Sequence, residues 1–211
     1  MRNLSKADVE MLQDAVKKAE LATSGEIVPM VVAKSANYMG FHFFAGLLGL
    51  VLASIAGIFW QEQNPWWSLP NFVLWQVLGF AAGFLLSEVP ALQRALISTK
   101  VFESETAKNA YANFLALGLG HLKDRNGVLI HVSVLERKIH ILADEGIHDI
   151  VGNDFWNVQT NLIAKGLREH RSAEGLKASI THIGAKLAEH FPHHEGDQNH
   201  FGDKVRDKSL V

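Results

Sequence analysis

The chain of 211 residues contains 20 Lys and Arg, 22 Asp and Glu and no Cys. Its formal net charge of −2 argues against a nucleic-acid partner, because a protein that binds the phosphate backbone needs a basic face. The absence of Cys excludes a disulfide scaffold, a cysteine nucleophile and a thiolate metal site. The charges are unevenly distributed: residues 41–87 carry one, Glu62, and the other 164 residues carry 41.

The first 40 residues predict a helix followed by a strand. Residues 4–22 repeat apolar side chains at helical spacing, and Ser5 with Asp8 forms a capping-box pattern at the start. Residues 26–33 are β-branched and apolar, which is typical of a buried strand. Pro29 cannot donate a ladder hydrogen bond, so we expect an edge strand or a β-bulge there.

The uncharged block predicts a two-helix transmembrane hairpin over residues 41–87. Its spans, residues 41–60 and 69–87, contain no charge, and a helix of 20 residues covers about 30 Å, the thickness of the hydrocarbon core. Trp60, Trp66 and Trp67 stand where an aromatic belt would lie. The alternative, a pair of buried core helices, requires a larger chain to wrap them.

Lysine and arginine residues near the spans predict the orientation of the hairpin. Lys34 precedes the first span, Arg94 and Lys100 follow the second, and the connecting loop has no Lys or Arg. The positive-inside rule then places both chain ends in the cytoplasm.

Small residues recur every four positions in both spans. The first stripe is Ala45, Gly49, Ala53 and Gly57, and the second is Gly79, Gly83 and Ser87. Small residues let helix backbones approach closely in lipid. Two arrangements are open: the stripes face each other within the hairpin, or they form the contact of a homo-oligomer.

The chain after the hairpin predicts three more helices and two strands. We expect helices over residues 98–122, from Asn153 or Asp154 to about 170, and from the cap Ser172 to about 191. Strands over residues 127–135 and 138–143 form a β-hairpin, in which His131 and His140 form a cross-strand surface pair. Residues 193–211 predict a polar tail.

The order of these elements predicts an α/β domain that the hairpin interrupts. The first strand, the long helix and the second strand form a βαβ unit, so these two strands should pair in parallel. The membrane hairpin is inserted into the crossover between them. The α/β domain is therefore discontinuous and consists of residues 1–38 and 96–192.

The predicted sheet gathers polar side chains at its membrane-distal edge. Thr23 and Glu26 lie at the start of the first strand, Asp124 and Asn126 at the start of the second, and Asp144 at the end of the third. Carboxylate, amide and hydroxyl oxygens are ligands that Ca²⁺ or Mg²⁺ prefers. The alternative is that these residues form turns and caps through local hydrogen bonds.

Four segments of the chain resemble the TPM domain family. They are residues 19–28 (AELATSGEIV), residues 124–147 (DRNGVLIHVSVLERKIHILADEGI), Trp156 and residues 175–184 (GLKASITHIG). The inserted hairpin is similar to a bacterial, membrane-hairpin-containing form of the family. The resemblance implies a Rossmann-like three-layer α/β/α domain and a location in the bacterial inner membrane.

The family resemblance implies two different functions. Plant members are linked to photosystem II repair and have a reported acid phosphatase activity, an animal member is an auxiliary subunit of a receptor channel, and some members carry a divalent ion on an acidic cluster. We therefore expect a non-catalytic factor that binds protein partners in assembly or stress repair. The alternative is a divalent-metal-dependent acid phosphatase that uses the acidic cluster.

Overall fold

The computed structural model describes residues 5–64, 68–122, 124–193 and 206–208, and Trp66 and Trp67 of the predicted aromatic belt lie outside these ranges. The chain divides into two compact units. Unit 1 consists of residues 1–35 and 103–211, and unit 2 consists of residues 36–102. Unit 2 contains the uncharged block of the sequence.

Helices and strands alternate along the described part of the chain. In order they are α1 (Lys6–Glu20), β1 (Glu26–Val32), α2 (Met39–Gln63), α3 (Leu69–Leu86), α4 (Pro90–Leu96), α5 (Thr99–Ala116), a 3₁₀ turn (Leu119–His121), β2 (Gly127–Ser133), β3 (Lys138–Ala143), α6 (Glu145–Val151), α7 (Asn153–Arg168), α8 (Ser172–His190) and β4 (Arg206–Lys208).

The sheet of unit 1 has the strand order β3-β2-β1-β4. The β1 and β2 strands pair in parallel from Glu26 with Gly127 to Val32 with Ser133, as the sequence predicts, although the whole hairpin separates them along the chain. The β2 and β3 strands form the predicted antiparallel hairpin. The short β4 strand pairs in parallel with the end of β1, in a region that the sequence predicts only as a polar tail.

Apolar clusters cover both faces of the sheet. The larger cluster joins β1 and β2 to α1, α7 and α8 through side chains such as Leu12, Ile130 and Ile180. The smaller cluster lies on the other face and joins Val28 and Leu129 to Phe114 of α5. The fold is thus mixed α/β with helices on both faces, while the Rossmann-like description stays a prediction.

Several details differ from the predicted elements. Helices α4 and α6 have no counterpart in the prediction, because each has only seven residues and too few turns to show a period. The α7 and α8 helices have Gly152 and Arg171 as N-caps. The predicted caps, Asn153 or Asp154 for α7 and Ser172 for α8, are therefore wrong. The predicted capping box of Ser5 and Asp8 is present at α1.

Pro29 lies within an unbroken ladder to β2, so the predicted bulge is wrong. Among the residues that the structure describes, β4 pairs with Met30, Val31 and Val32 and not with Pro29. A proline is tolerated in a strand at a position where no partner requires its missing N–H.

In unit 2, α2 and α3 are long and apolar enough to cross a membrane. Their most apolar windows have mean hydropathies of 2.2 and 1.6, and only 11% and 0% of these windows are buried. The two small-residue stripes meet between the helices: a Cβ added to Gly49 would lie 2.2 Å from the Gly79 carbonyl oxygen. A Cβ added to Gly83 would lie 2.3 Å from the Ala45 carbonyl oxygen. The arrangement with facing stripes is therefore the observed one, and a homo-oligomer stays a prediction.

Polar side chains also connect the two helices of unit 2. Buried His42 of α2 lies with its Nδ1 atom 2.6 Å from the Ser87 hydroxyl and its Nε2 atom 3.4 Å from the Glu88 carboxylate. Nearer the middle of the helices, the Gln76 amide donates to the Ser54 hydroxyl at 3.0 Å. Interhelical hydrogen bonds of this kind help apolar helices to associate in lipid, where the hydrophobic effect does not drive them together.

Candidate functional site

Three strands bring Glu26, Gly127 and Asp144 side by side at one end of the sheet. Glu26 and Gly127 are partners in the parallel ladder, and the Asp144 N–H donates to the Gly127 carbonyl oxygen at 3.0 Å. The Glu26 N–H donates to the Asn126 carbonyl oxygen at 3.2 Å. The chain leaves toward α2 from the opposite end of β1. The predicted edge thus gathers Glu26, Asn126 and Asp144.

The carboxylates of Glu26 and Asp144 lie on one face of the sheet. Side chains alternate between the two faces, so Glu26 shares the face of Val28 and Asp144 shares the face of Leu142. Both acids are buried, with exposed fractions of 5% for Glu26 and 8% for Asp144. Because burial penalises a charged carboxylate, such a pair favours a ligand that supplies positive charge or hydrogen bonds.

Gly127 separates the two acids and lets the 3₁₀ turn approach the sheet. A Cβ at this position would lie 2.9 Å from the Leu119 carbonyl oxygen and 3.0 Å from the Leu119 Cδ2 atom. Any larger residue would push the turn away from the strands. The turn therefore covers the strand position that lies between the two carboxylates.

Among the described residues, one carboxylate oxygen of Asp144 has a hydrogen-bond partner and the other has none. Its Oδ1 atom accepts a hydrogen bond from the Glu145 N–H at 2.7 Å, at the start of α6. Its Oδ2 atom is buried and has no hydrogen-bond partner among the residues that the structure describes. Buried polar atoms usually have a hydrogen-bond partner, so this atom makes Asp144 the candidate ligand-binding residue at this edge of the sheet.

Thr23 and Asn126 both form hydrogen bonds, of which only the bond of Thr23 with the Gly25 N–H is the local kind that the turn-and-cap alternative predicts. The Thr23 hydroxyl donates to the Phe191 carbonyl oxygen at 2.6 Å and accepts from the Gly25 N–H at 3.1 Å. The Asn126 amide donates to the Ser24 carbonyl oxygen at 2.8 Å. These contacts connect the start of β1 to the end of α8 and to the start of β2, so both side chains have structural roles.

Asp124 differs from the two buried acids because it is exposed. Its neighbour Arg125 has a φ of 48° and forms an exposed ion pair with Glu145, in which the guanidinium and carboxylate atoms are 2.6 Å apart. Across the described ranges, no three His, Cys, Asp or Glu side chains are grouped so that they could hold a metal ion. The predicted trio of Glu26, Asp124 and Asp144 is therefore not assembled as three carboxylates, and a metal site there stays a prediction.

A second polar cluster lies between α5 and the β2–β3 hairpin. The ladder pairs His131 with His140, as the shared face predicts. His131 is fully buried, however, so the expectation of a surface pair is wrong for this residue. Its Nε2 atom is 2.9 Å from the Asn109 side-chain oxygen. Burial lowers the pKa of His140, whereas the charge of Glu103 acts in the opposite direction.

The opposite end of the sheet contains a buried network that the sequence analysis missed. Glu136 is only 5% exposed although it lies in the β2–β3 turn. Its carboxylate accepts hydrogen bonds from the Ser35 N–H at 2.9 Å and from the Ser133 hydroxyl. The network fixes the chain as it leaves β1. Only the tertiary fold reveals it, because Ser35 is about a hundred residues from its partners.

Comparison with known families finds a match to part of the chain. Residues 93–186 match the TPM domain family. The matched segment contains α5, the β2–β3 hairpin, α6, α7 and most of α8, and it confirms the resemblance that the sequence motifs indicate. The matched segment contains Asp124, Asn126 and Asp144, whereas Thr23 and Glu26 precede it.

The fold is similar to the NMR structure of the BA42 protein from the psychrophilic bacterium Bizionia argentinensis. The TM-score is 0.60 at 21% sequence identity, and the alignment covers 98% of this chain and 96% of that chain. At this identity the likeness concerns the fold alone. No curated protein matches the chain at a significant level.

Proposed function

We propose that the chain is a multi-pass protein of the bacterial inner membrane whose TPM domain binds protein partners in the cytoplasm without catalysing a reaction. The observation that carries this proposal is the exposed apolar surface of α2 and α3. Three residues of α2 and none of α3 are buried, so both helices present apolar side chains on nearly all sides. Such a surface needs a lipid environment, because monomeric soluble proteins expose only small apolar patches.

The distribution of cations supports the cytoplasmic orientation. Lys34 precedes α2, and Arg94 and Lys100 follow α3, whereas the segment between the two helices contains no Lys or Arg. Short loops with Lys and Arg stay on the cytoplasmic side during membrane insertion. Unit 1 continues from both ends of the hairpin and would therefore lie in the cytoplasm.

The side chains around the buried acids favour binding over catalysis. Phosphoryl transfer needs a cation on the phosphate and a positioned nucleophile. The nearest cation that we identify, Arg125, is exposed and paired with Glu145. The Ser24 hydroxyl at this edge accepts a hydrogen bond from the Asn126 amide at 3.2 Å. We therefore assign the domain an assembly or stress-repair role through protein contacts.

Cysteine labelling tests the membrane part of the proposal. The chain has no Cys, so single cysteines at Ser68 and Ser209 would be the only labelling sites for a membrane-impermeant thiol reagent applied to intact cells. We expect labelling at Ser68 and protection at Ser209 until the cells are opened. Labelling at Ser209 alone in intact cells would show the opposite orientation. Extraction of the chain from the membrane by alkaline carbonate would exclude a membrane-spanning anchor.

Affinity purification from native membranes tests the protein-binding part. The full chain should retain specific proteins that a control chain of residues 36–102 does not retain. Retention of the same proteins by both chains would assign the binding to the hairpin. Failure of the full chain to retain any protein would contradict the interaction role.

A divalent-metal-dependent acid phosphatase is the second candidate function. The observation in its favour is the buried Asp144 Oδ2 atom, which has no partner among the described residues and shares a sheet face with Glu26. In this proposal Glu26 and Asp144 would hold Ca²⁺ or Mg²⁺, with Asn126, Thr23 and Asp124 supplying outer oxygens. The ion would neutralise the two acids and bind a phosphate oxygen.

Thermal unfolding tests this metal site. A ligand that binds only the folded state stabilises it, so millimolar Ca²⁺ or Mg²⁺ should raise the melting temperature of the full chain. The Asp144→Asn variant should lose the increase, and the double variant with Asp124→Asn should show whether the exposed acid contributes. The matched control Asp14→Asn, on an exposed position of α1, should keep it. An equal increase in all variants would exclude the site.

A further inference from the structure

Unit 1 contains a groove between α1 and α8. Thr23 follows α1, Pro192 follows α8, and these two residues form an isolated β-bridge, so the helices run side by side in the same direction. The groove has a volume of about 470 Å³. Its lining residues come from one face of each helix and are Met11, Asp14, Ala15, Lys18, Ala19, Ala22, Lys177, Thr181, Gly184 and Ala185.

The floor of the groove consists of small side chains. A Cβ at Gly184 would lie 2.5 Å from the Ala19 Cβ atom, so the two helix backbones approach each other closely at this point. Ala15 and Ala185 continue the floor. A floor of this kind accepts larger apolar side chains from a third helix, as helix-in-groove recognition requires.

The lining of the groove carries a net positive charge. Lys18 of α1 and Lys177 of α8 are both exposed, and neither forms an ion pair with the residues that the structure describes. Asp14 is the one acidic residue in the lining. A second copy of this surface would bring lysines toward lysines, whereas an acidic partner would complement them.

We propose that this groove binds an amphipathic helix of a partner protein that carries acidic residues along the borders of its apolar face. From Met11 to Ala22 the groove follows eleven helical steps, about 16 Å, which corresponds to three turns of the partner helix. The apolar face of the partner helix enters the groove, and its carboxylates meet Lys18 and Lys177. This inference rests on the proposed protein-binding function and names the class of partner.

Site-specific photo-cross-linking in living cells tests the inference. A benzophenone amino acid is placed at Ala185, an exposed residue in the groove, and in a second strain at Ala112, an exposed residue of α5. We expect Ala185 alone to cross-link to another protein. Mass spectrometry of the cross-linked peptide should identify an amphipathic sequence with acidic residues flanking its apolar positions.

Charge reversal supplies the matched comparison. Lys18→Glu combined with Lys177→Glu should lower the cross-link yield about tenfold or more, because like charges across an interface repel. Lys165→Glu, at an exposed position of α7, should leave the yield unchanged. An unchanged yield in the double variant would overturn the inference. A cross-link to a basic peptide, to a second copy of this chain or to lipid would overturn it as well.

The failure of this inference differs from the failure of the proposed function. Cross-links to proteins from Ala112 but not from Ala185 would leave the interaction role intact and exclude the groove. Absence of protein cross-links from both positions would contradict the inference, and together with a negative affinity purification it would contradict the proposed function as well. The folding of each variant is checked by its melting temperature in detergent.

Discussion

His140 connects side-chain burial to the pH dependence of folding. Burial lowers the pKa of His140 because the imidazolium ion loses water, while the nearby Glu103 carboxylate opposes this effect. As the pH falls, the His140 imidazole therefore binds a proton in the unfolded chain before it does so in the folded chain. We expect the free energy of unfolding to decrease as the pH falls below about 6.5, and the decrease to stop once the pH is below the folded pKa.

Replacement of His140 tests the predicted direction of this pH dependence. The His140→Gln variant cannot take up the proton, so its unfolding free energy should depend less on pH between neutral and mildly acidic conditions. His182→Gln, at an exposed position of α8, serves as the control and should keep the slope of the parent chain. Chemical unfolding of the detergent-solubilised chain at several pH values gives both slopes. Equal slopes in the two variants would show that His140 does not dominate this dependence.

Glu136 should contribute strongly to stability. Its carboxylate accepts hydrogen bonds from Ser35 and Ser133, and all three residues are buried. The Glu136→Ala variant would leave these two donors unsatisfied, and each buried donor without a partner costs about 1–3 kcal/mol. The exposed Glu10→Ala variant should change the free energy of unfolding by less than about 0.5 kcal/mol. A similarly small change in the free energy of unfolding for Glu136→Ala would mean that water accepts the hydrogen bonds in place of the carboxylate.

At the scale of elements, the contact between α2 and α3 depends on glycine. A Cβ at Gly49 would lie 2.2 Å from the Gly79 carbonyl oxygen, whereas a Cβ at Gly40 would meet no atom within 4 Å. Gly49→Ala should therefore separate the helices and destabilise the hairpin by about 1–3 kcal/mol. Gly40→Ala should be neutral or stabilising by up to about 1 kcal/mol, since alanine favours helix. Steric-trap or thermal unfolding in lipid nanodiscs measures both, and equal effects would contradict the observed packing.

Strong periodic signals allow the long elements to be predicted, and short elements lack such signals. The uncharged runs predict α2 and α3, and the alternation of turn residues and β-branched residues predicts the β2–β3 hairpin. The short α4 helix has its Gln93 amide bonded to the Ser87 carbonyl oxygen at 2.9 Å, just after α3, and α6 packs its buried Ile147 into the larger cluster. Because these partners lie in neighbouring elements, local sequence patterns contain no sign of them.

In the candidate site, sequence predicts how the backbone is arranged but not which contacts the side chains make. Strand direction predicts that Glu26 and Asp144 reach one end of the sheet, because parallel and antiparallel pairing fix which strand ends coincide. Sequence does not predict that Asp124 is exposed or that Asn126 and Thr23 bond to neighbouring backbone. Those outcomes depend on rotamers and on the turn at Arg125, which the packing of the whole unit determines.

At the scale of the whole molecule, the apolar clusters of unit 1 consist of its own residues. Both clusters that surround the sheet draw their residues from unit 1, and none of these residues belongs to the range 36–102. The sheet itself joins β1 to β2 across the inserted hairpin through seven ladder pairs. The described residues of the hairpin thus contribute no side chain to either cluster.

This arrangement predicts that unit 1 folds without the hairpin. Replacing residues 38–95 by a short flexible linker should give a soluble protein with one cooperative thermal transition. The shorter connection between β1 and β2 should favour their pairing, because halving a loop lowers its closure cost by about 0.6 kcal/mol. An Ile130→Asp change in the shortened chain should abolish the transition, since Ile130 is fully buried in the larger cluster. If the shortened chain is unfolded or aggregates under all conditions, the hairpin supplies part of the core and the two units do not fold independently.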